Sequence, residues 1–411
     1  MRVLYVSHTA NVAGAEHSLL VLLRALSGAV VEPVLACPEG ELATAARAIG
    51  VDVCAVPGTD LSSRLHPRHT AREAARAART GRALGVIGRE SRADLVHANT
   101  PRAGLISAFA GGAGGARPVV HVRDSTPPGR VPGLTLSFLA RRASAFVSTS
   151  RFLADQLPRG PQAAIVANAV EPDRFDPSVL DRRAARVRLE LGESEPVLAV
   201  VAQISPHKGQ SDAIRALALV RRTHPDARLL LIGSIKFTSA ATRYDNHAYG
   251  AELDSLIEQL GLGDAVTFLG ERSDIPQILA AVDVLLVPSW YEPFGRAAIE
   301  AMMMGVPVIA TSVGGIKEVI SDGVDGLVLD PRNAPAWAQA IVGLIADPER
   351  RRAMGARGRR RALRDFSPGR HAEQMLDVYE RALRGPGQVA RQAGAARYAL
   401  APIRSGMPPH D

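Results

Sequence analysis

Residues 283–302 read DVLLVPSWYEPFGRAAIEAM. The first five, Asp283–Val287, form an apolar run behind a single acid, and Pro288 ends it. An apolar helix follows from near Gly295. A strand with no polar alternation is covered on both faces, as in a parallel sheet flanked by helices. The stretch therefore reads strand, loop, helix. It puts Glu292 in the loop at the strand's carboxyl end, where open α/β sheets bind ligands, and Glu300 near the middle of the helix.

The same alternation runs through most of the 411 residues. Strands are predicted at Arg2–Ser7, Val30–Cys37, Val51–Val56, Asp94–Asn99, Pro118–Val122, Ala145–Thr149 and Ala163–Ala167, with helices such as Ala15–Leu26, Glu41–Ile49, Arg68–Arg89, Arg102–Ala110 and Leu134–Arg142 between them. Asn168–Pro177 interrupts the pattern, a charged helix follows at Leu180–Leu191, and the alternation restarts. Strands are then predicted at Val197–Gln203, Arg228–Gly233, Ala265–Leu269, Val282–Pro288, Pro307–Thr311 and Gly326–Leu329, and helices at Gln210–Thr223, Ala251–Leu260 and Ile275–Ala280. This length and this pattern predict an α/β protein of two doubly wound domains.

Hydrophobic residues make up 46% of the chain, which suits a globular protein, while aromatics at 4% are too sparse for base-stacking platforms. The formal charge of +8 suggests anionic company, either phosphate, an acidic ligand or a membrane surface. Arg68, Arg72, Arg76 and Arg79 share one face of a predicted helix; they serve peripheral membrane contact, an acidic ligand, or simple solvation. Cys37 and Cys54 stand alone in apolar runs and read as buried thiols. The opening MRVLYVSH lacks the apolar core of a signal peptide, and no run has the length of a spanning helix. A cytoplasmic protein is expected, at most touching the membrane's inner face.

Three further segments fall at strand ends. Residues 201–209, VAQISPHKG, put Lys208 where a cation can meet anionic charge, or where it is a plain surface lysine. Residues 12–16, VAGAE, put Gly14 at the first strand-to-helix turn, where backbone can approach a ligand closely. His121 and Arg123 follow each other at period two near the end of a strand, with Asp124 behind. For the acid pair itself, the plain alternative is a helix cap at Glu292 and a solvated Glu300; the apolar neighbours Ala297, Ala298, Ile299, Ala301 and Met302 speak against it, because a buried carboxylate needs a partner.

The stretch from Glu292 to Glu300 resembles the Glu-x7-Glu signature of retaining glycosyltransferases of family 4, which have the GT-B fold. The resemblance continues through Gly305–Thr311, Gly314-Gly315, Glu318 and Asp322–Gly326. It implies two Rossmann-like domains facing a central cleft: an acceptor-binding domain over 1–170, a nucleotide-sugar-binding domain over 171–365, and a helix over 366–384 crossing back to the first. The tail 385–411 reads as disordered. The resemblance gives Glu292 the transferred sugar, Glu300 the ribose hydroxyls, Lys208 the diphosphate, and backbone groups of Phe294, Gly295 and Arg296 the sugar and phosphate.

Gln203 replaces the family's arginine and Ala13 its first loop glycine, leaving Gly14 as the loop's donor-side glycine. Arg296 stands where the family has an apolar residue, either adding a phosphate contact or pointing outward. Arg123-Asp124 aligns with the family's His-Asp pair, so Arg123 and, two residues earlier, His121 are expected near the reaction; the histidine's own role does not carry over to His121, and a structural histidine is the plain alternative there. The implied partners are a nucleotide-diphosphate sugar donor and a hydroxyl-bearing acceptor, a glycan, glycolipid or small metabolite, with no nucleic acid. Acceptor choice is assigned to Ser62–His69, Gly111–Arg117 and Ser125–Gly133.

The expected reaction is transfer with retention of configuration, with no cofactor. The sequence has no Asp-x-Asp, HExxH or paired CxxC, so metal-independent transfer is expected. It also lacks a P-loop and a Gly-x-Gly-x-x-Gly fingerprint. A nucleotide-sugar epimerase of the same plan, or a non-catalytic sugar-nucleotide-binding protein, is the alternative.

Overall fold

The structure is a computed structural model and describes residues 1–26, 30–59, 67–109, 118–124, 130–158, 163–236 and 244–384. Residues 62–66, 111–117 and 125–129 of the expected acceptor loops, the tail beyond Arg384 and the side chains of Arg68 and Arg72 lie outside the described residues.

The chain divides into two compact units. Unit one holds Met1–Thr149, Leu153–Ala169 and the chain from Pro368; unit two holds Ser150–Phe152 and Val170–Ser367. Both are parallel sheets with helices between the strands, the GT-B plan of two α/β domains.

Among the described residues, unit one has seven strands, β1 (Arg2–Val6), β2 (Glu32–Cys37), β3 (Asp52–Ala55), β4 (Leu95–Ala98), β5 (Pro118–Val122), β6 (Ala145–Ser148) and β7 (Ala164–Ile165), in the order β3-β2-β1-β4-β5-β6-β7. All are parallel. Apolar side chains cover both faces. One layer contains Tyr5, Leu19, Leu22 and Leu35, and the other Leu4, Val96, Ile106 and Phe146. The helix Pro368–Arg384 adds Ala372, Met375, Leu376 and Tyr379 to the first layer, although almost the whole of unit two precedes it in sequence. Cys37 and Cys54 are both free thiols.

Among the described residues, unit two has six strands, β8 (Val197–Val201), β9 (Arg228–Ile232), β10 (Val266–Gly270), β11 (Val284–Val287), β12 (Val308–Thr311) and β13 (Leu327–Leu329), in the order β10-β9-β8-β11-β12-β13. Its core includes Leu198, Ile214, Leu217, Leu231, Leu286 and Trp337. Strand order reverses between β8 and β11, which pair directly. A reversal opens a crevice at the strands' carboxyl ends, since the following chains leave in opposite directions. The loops carrying Lys208 and Glu292 both arise there.

Helix limits differ from the sequence reading most at Asn246–Gln259, which begins five residues before the predicted Ala251. The Asp245 side chain accepts hydrogen bonds from the backbone N–H groups of His247 and Ala248, satisfying donors that an extra first turn leaves open. No described helix is long and apolar enough to cross a membrane.

Candidate active site at the switch point of unit two

After β8 the chain turns through a short 3-10 helix, Pro206–Lys208, and Gly209 begins the next helix, Gln210–Val220. Gly209 has φ 69°, and a Cβ there would lie 2.1 Å from the carbonyl oxygen of Pro288. Only glycine lets the Lys208 turn come this close to the β11 loop. The result is an ion pair between the two loops: Lys208 Nζ lies 2.9 Å from Glu292 Oε2.

Glu292 is only 8% exposed. The hydroxyl of Ser289 donates to the same Oε2 at 3.1 Å, so Oε1 takes neither bond. Burial pushes the carboxyl's pKa up. The charge and hydrogen bond of Lys208, the Ser289 hydroxyl and nearby His207 outweigh burial and hold it below the usual glutamate range. At neutral pH it is a carboxylate.

The backbone of this loop is clasped from the far side by Gly314-Gly315. A Cβ on Gly314, which has φ 72°, would fall 2.1 Å from the Glu292 carbonyl oxygen; one on Gly315 would fall 2.1 Å from that of Pro293. The Gly315 N–H donates to the Glu292 carbonyl at 2.9 Å. Two adjacent glycines are thus required for this fit.

Gly295, at φ 97°, precedes the helix Arg296–Met303, whose start has no side-chain cap. Its first N–H groups are the kind of donors an anion takes. Phe294 is buried, edge-on to Phe366 with ring centroids 6.1 Å apart. Glu300 is half-buried on the next turn, where Arg296 Nε donates to its Oε1 at 2.9 Å. Arg296 therefore does not point outward; it is the partner Glu300 needs, one helical turn away. Gln203 lies in the β8 loop, its carbonyl accepting from the fully buried Gln210 at 2.8 Å.

The residues singled out in unit one are placed differently. Gly14 begins the helix Gly14–Leu26 with an ordinary φ and open space where a Cβ would sit. Ala13 is not among the residues with positive φ, so the alanine sits in this turn without left-handed backbone. Glu16 caps the turn, accepting from the Ala13 N–H at 3.3 Å.

His121 has the surroundings of the structural histidine that was its plain alternative. The ring is fully buried, 5.4 Å from that of His97, and neither nitrogen has a hydrogen-bond partner among the described residues. The physical reason is its strand: β5 is covered on both faces, so period two assigns a side chain to a face without bringing it to solvent. Arg123 follows the end of β5, is 8% exposed, and donates to the side-chain oxygens of Asn99 (3.0 Å) and Asn168.

Sequence reasoning gave Ser289, Trp290 and Asp212 no role. Ser289 was open to discovery through its three-residue spacing from Glu292. Trp290 and Asp212 are 78 positions apart and no local pattern joins them. Two cavities also stand out. One of about 880 Å³ lies at the amino ends of β1–β3, lined by Arg2, Glu32 and Asp52; the other, of about 560 Å³, borders Trp290, Asp212 and Arg332. Neither is lined by Lys208 or Glu292. Among the described residues no cluster of His, Cys, Asp and Glu is arranged to hold a metal ion.

Two parallel α/β units, the second with a cation and a carboxylate meeting at its switch point, define the class: a GT-B protein. Comparison with known families narrows this. Residues 12–174 match the Glycosyltransferase Family 4 family model and residues 181–361 the model for Glycosyl transferases group 1. The chain belongs to this glycosyltransferase family.

Among curated relatives, D-inositol 3-phosphate glycosyltransferase of Segniliparus rotundus is 36% identical over 223 residues, covering 54% of this chain and 47% of the relative. The protein of that name from Xylanimonas cellulosilytica is 34% identical over 267 residues, 62% of this chain and 61% of the relative. The chain spans about half the length of the first of the curated relatives it matches.

Among solved structures, HepE of Anabaena in complex with UDP-glucose superposes with a TM-score of 0.78 at 24% identity, covering 92% of this chain and 99% of that one. Sucrose-phosphate synthase of Thermosynechococcus elongatus gives 0.76 at 21% identity, with 93% and 99% covered. At these identities the likeness is one of fold.

Proposed function

We propose that this chain transfers a sugar from a nucleotide-diphosphate sugar to an acceptor hydroxyl, with retention of configuration and without a metal. The observation that carries the proposal is the Lys208–Glu292 pair, 2.9 Å apart at the reversal of the second sheet. An exposed lysine and a helix-capping glutamate do not need two glycine-dependent close approaches to bring them together.

In this reading the donor's diphosphate draws Lys208 away from Glu292 and lies against the uncapped N–H groups after Gly295. Glu292, released from the lysine and offering Oε1, holds the hydroxyls of the transferred sugar. Glu300 holds the ribose, Arg296 keeps it oriented through their hydrogen bond, and Gln203 supplies a neutral contact where the family has a cation. The anomeric C–O bond breaks through an oxocarbenium-like state, and its electron pair leaves with the nucleoside diphosphate. Lys208 and the helix N–H groups stabilise that charge. A departing phosphate oxygen takes the acceptor's proton while the acceptor oxygen bonds the anomeric carbon from the same face.

The HepE complexes hold UDP and UDP-glucose, and several curated relatives are named for D-inositol 3-phosphate. UDP-glucose and inositol phosphate are therefore the first donor and acceptor to try. The test is a mass-spectrometric screen of UDP-, GDP-, ADP- and dTDP-sugars for binding, hydrolysis and transfer, with EDTA present. Glycosylated acceptor and free nucleoside diphosphate are expected. Conversion of the donor sugar to its epimer without acceptor, or no binding of any donor, refutes the proposal.

A further inference from the structure

The Lys208 turn and the Glu292 loop are tied by more than their ion pair. Trp290 donates its backbone N–H to the carbonyl of His207 at 2.8 Å, one residue before Lys208. Its indole N–H donates to Asp212 Oδ2 at 2.7 Å, on the helix that starts directly after Gly209. The same oxygen accepts the Arg332 N–H at 3.0 Å, and the Arg332 guanidinium lies over the indole ring, 4.0 Å from its centroid. Arg332 has φ 60°, a conformation costly for a non-glycine residue and kept here by these contacts.

Packing alone does not account for Trp290. The indole is half-buried and borders the cavity of about 560 Å³, which is also lined by Pro206, Ser211, Arg215 and Tyr249. A ring beside open space is held by directed bonds. Three chain segments meet on this one side chain, and two of them carry the charged pair.

We infer that Trp290, anchored by Asp212, is a positioning residue that keeps the Lys208 turn in register with the Glu292 loop. The inference rests on the proposed donor site, because only there does this register matter to chemistry. A lysine's stem has several rotatable bonds, so the placement of its ammonium group depends on how firmly its backbone is held. A misplacement near 1 Å is costly in rate.

The experiment compares Trp290→Phe, Asp212→Ala and Asp212→Asn with the unaltered protein by two readouts. The first is the acid titration of the Glu292 carboxyl followed by 13C NMR, its signal assigned by its loss in Glu292→Gln. The second is kcat and KM with UDP-glucose, or with whichever donor the screen identifies. Trp290→Phe keeps an aromatic ring but loses the N–H, and Asp212→Ala loses the acceptor. Both are expected to move the Glu292 titration upward and cut kcat about tenfold, with KM changed by no more than about threefold. Asp212→Asn still accepts both N–H groups and is expected to restore both readouts. A general loss of stability leaves the native-state titration unmoved. An unaltered titration in both Trp290→Phe and Asp212→Ala overturns the positioning role. Absence of turnover in the unaltered protein with every donor overturns the reading of the site, while the titration still decides what Trp290 does.

Discussion

Glu292 combines near-complete burial with a retained negative charge, and its neighbours explain how. Lys208 and Ser289 both bind one of its oxygens, while Gly314 and Gly315 fix the peptide beneath it. Substituting Gly314 by alanine drives a Cβ into the Glu292 carbonyl from a backbone that alanine resists. A stability loss of about 2–4 kcal/mol in denaturant titration is expected. Turnover should fall further than stability explains at temperatures where the variant is folded; full activity there would show that the glycines serve packing only. Glu300 makes a separate prediction. Glu300→Gln should raise the KM for donor about tenfold and leave kcat within a few-fold, because the ribose contact is made equally in ground and transition states. A collapse of kcat at unchanged KM would assign it to the sugar instead.

Much of this site was legible in the sequence. Lys208 and Glu292 each follow an apolar strand, and the rule that ligands gather at carboxyl ends picked them out. The Arg296–Glu300 pair stood at helical spacing, although the choice weighed there, phosphate or solvent, omitted the partner one turn away. Trp290 and Asp212 were illegible because their meeting depends on β8 lying beside β11, a tertiary fact.

Among the elements, the final helix Pro368–Arg384 carries the most unusual chemistry. Tyr379 places its hydroxyl 2.7 Å from His97 Nδ1 and donates to Tyr5 at 3.2 Å, and His371 Nδ1 donates to the Ala167 carbonyl at 2.6 Å. His97, His121 and His371 are almost wholly buried near Arg123. Burial first, and then the charge of Arg123, keeps them neutral: His97 and His121 fall well below the usual histidine range and His371 to about 3.

The sign of the pH dependence follows. The unfolded chain binds protons near pH 6.5 and the folded chain does not, so stability is full above about 6.5 and declines as pH falls below it. Each neutral histidine contributes a slope of about 1.4 kcal/mol per pH unit on the acid side. Melting temperature should therefore drop steeply from pH 6.5 towards 4.5, and His121→Phe should make that drop shallower. A flat profile in the unaltered protein contradicts the burial of neutral histidines. Period two put His121 and Arg123 on one side of their strand, but alternation along a strand says nothing of what covers either face. The late predicted start of Asn246–Gln259 has a similar cause, a capping acid with no apolar repeat beside it.

For the molecule as a whole, the two sheets were legible as two runs of strand and helix on either side of Asn168–Pro177. What the pattern alone could not give was the return of the last helix to the first unit, since a helix shows its apolar face without naming its partner. This return has a consequence for truncation. Ending the chain at Ser367 removes Ala372, Met375, Leu376, Val378 and Tyr379 from the core of unit one, a loss of about 5 kcal/mol or more. Both tryptophans, Trp290 and Trp337, belong to unit two. Their fluorescence melt should stay close to that of the full chain while far-UV circular dichroism loses much of its helical signal. Parallel loss of both signals would mean that the units do not unfold separately.

The whole reading depends on Glu292 acting on the donor's sugar and not merely balancing Lys208. The deciding measurement is nucleoside diphosphate release in the presence of acceptor by Glu292→Gln, set beside its calorimetric affinity for the nucleoside diphosphate alone. A fall in turnover of about a hundredfold or more, with that affinity kept or strengthened as Lys208 is freed, is the expected result. Turnover within a few-fold of the unaltered protein, in a variant with the same melting temperature, would contradict it.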